Sequence, residues 1–274
     1  MSPLERNPDD RATFGSKFLA LTRRIDLSTS AGPSEKRLER RRVLLMLVLT
    51  FVTGVLDAVG YLGLDKVFTG NMTGNVVILA MGLGGGDELP VLGPLVALLL
   101  FSLGAVVAGM ALKKHPGKWN RTITLLLAAG TFVLVGAAVA TFIIGPDLPH
   151  AAGIVVAAVI ALQMGVQACI ARKLAVRDMT TVVVTSTLTS LAGEDFVRGG
   201  KTAVFNRRAG AIVVIFLGAV VGTLLLHFVH MSAAISLSAL LTGSVTVIGH
   251  RSWNPRSTEP SAFDASRVGR KVTR

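Results

Sequence analysis

The chain has 274 residues, 51% of them apolar and 16% charged, and its 28 basic against 16 acidic side chains give a net charge of +12. This composition excludes a soluble helical bundle, whose helices need polar outer faces, and points to transmembrane helices that pack closely through Gly and Ala. A single cysteine, Cys169, excludes an internal disulfide and a cysteine-cluster metal site, and the five histidines are scattered without metal-binding spacing.

Residues 1–42 form a basic tail with ten Lys and Arg side chains. Within it Phe14, Phe18, Leu21 and Ile25 recur at helical spacing beside Lys17, Arg23 and Arg24. A surface helix over 14–25 lying on anionic lipid and a disordered tail are equally compatible with that pattern. The first apolar run, Val43–Leu64, starts too late for a cleaved signal peptide and is expected to be retained. It holds Asp57, about 22 Å along the helix from Arg42 and beyond the middle of the bilayer core. A polar knot follows, Thr69-Gly70-Asn71-Met72-Thr73-Gly74-Asn75, then a short apolar piece, Asn75–Leu83, rising only about 14 Å. Further spans are expected at Val91–Leu112, Thr122–Ile144, Ala151–Ile170, Ala209–Val229 and Ala233–Gly249. A second short piece, Thr180–Ala192, rises about 20 Å and contains Thr185-Ser186-Thr187-Leu188-Thr189-Ser190. Residues 251–274 form a second basic tail.

The connections carry the orientation, because cytoplasmic loops hold the excess of Lys and Arg. Both tails, the link bearing Lys113, Lys114, Lys118 and Arg121, and the flanks of the second short piece are basic. Gly84–Pro90 carries only Asp87 and Glu88, and Gly145–His150 only Asp147. Following the chain through these faces gives an all-α membrane protein with six transmembrane helices and two short re-entrant half-helices, both termini being cytoplasmic. Leu103-Gly104-Ala105-Val106-Val107 recurs as Leu217-Gly218-Ala219-Val220-Val221, at nearly the same offset as the two polar knots. The transmembrane domain, 43–250, thus reads as an inverted repeat with halves 43–144 and 151–250, a recurring plan of secondary transporters.

Asp57 is the one ionisable residue well inside an apolar run. It serves either as a proton- or cation-coupling group or as a tie to Lys66 or to free backbone N–H groups. Thr69, Asn71, Thr73 and Asn75 offer uncharged donors and acceptors, either to a solute or to helix caps and neighbouring helices. Thr185, Thr187 and Thr189 could share a face only in an extended segment. Gln163 and Gln167, four residues apart, are the second half's uncharged counterpart of Asp57, or an interhelical hydrogen bond. These ten residues make up the candidate midplane site. Gly218 and Gly222 would let helices approach closely, within the chain or between subunits, so a homo-oligomer stays open. No nucleophile triad, phosphate loop or metalloprotease motif is present, so no catalytic residue, metal or cofactor is expected.

Gly54-Val55-Leu56-Asp57-Ala58-Val59-Gly60-Tyr61, followed by Val67-Phe68 and the knot 69–75, resembles the signature of the YoaK-like family of bacterial inner-membrane proteins. The resemblance covers roughly Arg42 to His250 and implies a multi-pass cell-membrane protein with six predicted spans. It implies no substrate, since that family has no established function. The residues themselves favour a secondary transporter or permease of a small solute or ion; the alternative is a non-transporting scaffold or sensor. The bilayer, with anionic headgroups at the basic tails, is the expected partner rather than nucleic acid.

Cysteines placed at Asp87 and Asp147 in a Cys169→Ser background should react with a membrane-impermeant thiol reagent from the outer face. Labelling of position 87 from the cytoplasmic face alone would remove the re-entrant reading of the first short piece.

Overall fold

The computed structural model describes residues 33–86, 89–113, 119–174 and 203–252. It divides into two units, Met1–Leu44 and Leu45–Arg274. In the first only the opening of helix α1 is described; the second holds the bundle. The described residues form seven α-helices: α1 Pro33–Gly63, α2 Met72–Leu83, α3 Leu92–Ala111, α4 Arg121–Ile144, α5 His150–Leu174, α6 Ala203–Phe228 and α7 Met231–Ser252. Six are long and apolar enough to cross a membrane, in α1 over Arg40–Gly63 and in α6 over Ala209–Phe228. The protein is therefore an all-α, multi-pass membrane protein. Helix α2, with 12 residues, rises about 18 Å and falls short of a core of about 30 Å. It starts earlier than the apolar pattern indicated because Asn71 caps it, its side chain accepting from the Gly74 N–H at 3.2 Å. One short helix is seen where two were expected. The second piece, Thr180–Ala192, lies outside the described residues, as do the segment 14–25 and the tail beyond Ser252.

Polar residues sit inside these spans because their hydroxyls are satisfied by their own helix. Thr50 and Thr53 donate to the carbonyls of Met46 and Leu49, and Ser238, Thr242 and Thr246 to those of Ala234, Ser238 and Thr242. All five are buried, so the row of hydroxyls on α7 is a packed face. Helix α4 starts on the Asn120 side chain, which accepts from the Ile123 N–H at 2.8 Å, and ends at Gly145, whose φ of 83° only glycine adopts freely.

Helices α1 and α5 are central. Val52, Val55, Leu56 and Val59 of α1 meet Val156, Ile160 and Met164 of α5 in one core, closed by residues of α4 and α7. Helices α3 and α6 lie at the periphery, most of their span surface uncovered by protein. Two helix pairs approach so closely that a side chain would collide with backbone. A methyl group at Gly54 would meet the Ile215 carbonyl and the Ala219 N–H, and one at Gly218 the Phe51 carbonyl. Likewise a methyl at Gly165 would meet the Phe101 carbonyl and the Ala105 N–H, and one at Gly104 the Leu162 carbonyl. The α1–α6 seam thus recurs, contact for contact, as the α5–α3 seam. The α1 seam positions 51 and 54 map 111 residues onward to 162 and 165 of α5, and the α3 seam positions 101, 104 and 105 map 114 residues onward to 215, 218 and 219 of α6. In lipid, where apolar burial drives little association, such backbone-to-backbone packing is what holds helices together. Gly218 and Gly222 are used within the chain, the latter against Val55.

The direction of the pairs follows from the same contacts. Phe51 meets Gly218 and Val55 meets Gly222, so α1 and α6 run parallel. Thr124 meets His250 and Thr131 meets Gly243, so α4 and α7 run antiparallel. Trp119 locks the latter pair at one end: its ring lies on Gly249, and its indole N–H donates to Thr124 Oγ1 at 2.9 Å.

Replacing Gly54 or Gly165 by Ala should destabilise the detergent-solubilised protein by about 1–3 kcal/mol, because the seam backbone must move apart. Gly136→Ala, where a methyl meets nothing within 4 Å, should instead leave the melting temperature unchanged or raise it, as helix propensity alone gives about 1 kcal/mol at most. Equal effects at all three positions would remove the seams as the determinant of packing.

Candidate functional site

The site grows out of the break after α1. At membrane depth a broken helix exposes N–H and C=O groups that water cannot reach, so each needs a protein partner. The chain supplies them locally. The Val67 N–H donates to the Gly60 carbonyl at 3.2 Å, which folds the turn back along α1. Gly60 is required there, since a methyl group would strike the Val67 carbonyl. One turn earlier, Asp57 Oδ1 accepts the Gly70 N–H at 2.6 Å and the Thr69 hydroxyl at 3.3 Å. A backbone N–H group is thus a structural tie that the fold gives Asp57.

Asn75 holds the other side of the turn. Its Oδ1 accepts the Phe68 N–H at 2.8 Å and its Nδ2 donates to the Phe68 carbonyl at 2.6 Å, so the amide pairs with both backbone groups of one residue. The Phe68 ring stacks on Tyr61 at 5.0 Å and fills the space that Gly74 leaves open. Asp57, Gly60, Tyr61, Phe68, Thr69, Gly70, Asn71, Gly74 and Asn75 therefore all shape or anchor this one turn.

The structure brings Asp57, Thr69 and Gly70 together, with Met164 of α5 against Gly70. Asn71 and Thr73 are exposed, the first as a cap. Gln163 and Gln167 are buried on either side of Met164 and face other helices. Gln167 Nε2 donates to the Leu49 carbonyl at 3.2 Å, and the Gln163 amide occupies the space left by Gly130 of α4. Gln163 Nε2 and Gln167 Oε1 are buried without a hydrogen-bond partner. The seam register also corrects the expected counterpart of Asp57: the equivalent position on α5 is Ala168, while Gln167 corresponds to Leu56. Thr185, Thr187 and Thr189 lie outside the described residues.

Sequence reasoning missed Asp65 and His150. His150 Nε2 lies 2.8 Å from Asp65 Oδ1, tying the start of α5 to the turn after α1. Asp65 Oδ2 is buried against Gly93 in the first turn of α3, where the helix dipole favours a carboxylate. No spacing rule links two single residues so far apart in the chain; only the lone acid just past the end of a span hinted at a cap. A groove of about 810 Å³ lies between α4 and α7 and is lined by none of the candidate residues. Among the described residues no group of three or more His, Cys, Asp or Glu side chains could hold a metal ion.

Six apolar helices around a broken, internally tied turn define a polytopic α-helical membrane protein. The chain belongs to the family described as "Protein of unknown function (DUF1275)", which it matches over residues 45–248. It is similar to the "UPF0700 transmembrane protein YoaK" of Bacillus subtilis (strain 168), with 31% identity over 185 residues covering 65% of this chain and 80% of that protein. No solved structure matches.

Asn75→Leu should leave both polar groups of Phe68 unpaired and cost about 2–4 kcal/mol in detergent, each buried orphan contributing about 1–3 kcal/mol. Thr73→Val, on the exposed face of the same helix, should stay within about 0.5 kcal/mol. A melting temperature unmoved by Asn75→Leu would show that the turn is held by something else.

Proposed function

We propose that the protein is a secondary transporter or permease of a small solute or ion, with a site near the midplane at Asp57 and the broken turn 69–71. The observation that carries this reading is a carboxylate deep in a membrane helix whose partners are the N–H groups of a broken segment. That is the arrangement by which discontinuous helices bind charged solutes and coupling ions. Gln163 and Gln167 join the reading because a buried donor and a buried acceptor without partners are costly, and a solute or water that bridges them removes the cost.

The inverted repeat with re-entrant half-helices belongs to the same proposal. Seams that recur with fixed offsets support two equivalent halves. Parity supports their opposite orientation. With α1 and α6 parallel and α4 and α7 antiparallel, alternation along the chain works only if α2 returns to the face it came from and α5 ends on the face where α6 begins. Both tails are then on the cytoplasmic side, where the basic links cluster.

One observation favours the alternative of a non-transporting scaffold or sensor. The hydrogen bonds of Thr69, Asn71 and Asn75 all stay within the first half and hold its own turn. The two readings separate at Asp57. Proteoliposomes carrying a pH-sensitive dye inside should report an internal pH change on addition of some member of a panel of small anions, cations and neutral solutes. Asp57→Asn keeps an acceptor for Gly70 and should retain the wild-type melting temperature while abolishing that signal. A variant that melts several degrees lower, in a protein that moves no solute of the panel, is the outcome expected of a scaffold.

A further inference from the structure

The groove between α4 and α7 is the one described feature that neither the repeat nor the polar turn uses. Val135 and Val139 on α4 and Leu240, Ser244, Val247 and Ile248 on α7 line it, and all six are exposed. Of its hydroxyls, Ser244 donates to Leu240 and Thr131 to Leu127, each within its own helix, while Ser232 and Ser236 lie at the end of α7 away from Arg251. From Ser232 to Ile248 it follows α7 for about 24 Å, most of a bilayer core of about 30 Å. Both lining stripes end on arginine at the same end. Arg251 lies three, four and seven residues beyond Ile248, Val247 and Ser244, so it continues the groove face of α7. Arg121 lies five full turns before Val139 and continues the groove face of α4. Both are exposed, and α4 and α7 contain no acidic residue to answer them.

We propose that this groove is a binding site for an anionic diacyl phospholipid, its phosphate held at Arg121 and Arg251 and one acyl chain lying along the α4–α7 cleft. An arginine pair recognises a phosphate by paired N–H donors, and an acyl chain fills an apolar cleft that a polar solute cannot. An acyl chain from one leaflet reaches about 15 Å, to the level of Leu240, so the arginine end and the nearer half of the groove form the site. A second copy of the chain fits less well. In a two-fold dimer with its axis along the membrane normal, the groove faces would bring the arginine ends of both copies together. The site is independent of the transport reading, since it shares no residue with Asp57 or the turn.

The test is native mass spectrometry of the full chain released from nanodiscs of equal parts phosphatidylglycerol and phosphatidylcholine. The wild type should retain phosphatidylglycerol over phosphatidylcholine, and Arg121→Gln and Arg251→Gln should each weaken that retention about fivefold. Ser244→Phe, which fills the groove from an exposed position, should remove the bound lipid with the arginines intact and the melting temperature unchanged. Equal retention of the two lipids would overturn the proposal. So would a phosphatidylglycerol preference that survives Ser244→Phe, which would assign it to surface charge alone, or a lipid-free dimer cross-linked through a cysteine placed at 244 in the Cys169→Ser background. If an arginine variant fails to fold, the Ser244→Phe arm decides.

Discussion

The constraint on which this structure depends is that a chain leaving helical geometry against its membrane spans leaves backbone groups that need protein partners. Between Gly63 and Met72 the chain leaves helical geometry, and three short-range devices cover the cost. The Gly60 carbonyl takes the Val67 N–H, Asp57 takes that of Gly70, and Asn75 takes both polar groups of Phe68. Each device is rigid because each also needs a glycine or an aromatic ring to bring the partners close. Once the turn is fixed, α2 starts at Asn71 and packs on α3, and Asp65 meets the first turn of α3 and His150 of α5. The polar break thus fixes α2 and the starts of α3 and α5, while α6 is placed by its own seam with α1.

The second organising element is the pair of glycine seams. Hydrocarbon solvates a leucine face as well as another helix does, so spans stay together where backbones come close enough for dispersion and weak C–H···O contacts to accumulate. Gly54 and Gly218 do this for α1 and α6, Gly165 and Gly104 for α5 and α3. The break lies between these two pairs: Asp57 belongs to α1, while the segment it binds leads into α2, which packs on α3. A carboxylate at that joint holds one seam pair to the other, so a change in its charge would be felt across both.

Much of this was legible in the sequence, and the physics says why. A hydrophobic run of span length, a charge bias between links and a polar knot at depth are all local signals, each enforced by the bilayer on the residues that carry it. The repeat was legible as one five-residue match, the echoed polar knot at nearly the same offset and the charge pattern of the links, because lipid-facing positions accept many apolar side chains. The register of the halves was not legible. Gln163 and Gln167 resemble a counterpart to Asp57 by polarity, yet the seam places Ala168 there. Nor could spacing distinguish Asn75, whose amide is consumed by Phe68, from Asn71, which caps α2 and stays exposed. The pairing of Asp65 with His150 and the self-satisfied hydroxyls of α7 depend on neighbours that only the folded chain supplies.

The substitution of alanine at 168 for the carboxylate at 57 bears on what the fold was adapted to do. The described turn after α1 is tied by Asp57, and α5 carries alanine at the position that the seam register equates with 57. The seam glycines are matched, Gly54 by Gly165 and Gly104 by Gly218, so the constraint on packing is common to both pairs. The charge is kept in one half alone, so what constrains it is something other than packing. A carboxylate present at 57 and absent at 168 therefore belongs to the turn it ties rather than to the seams.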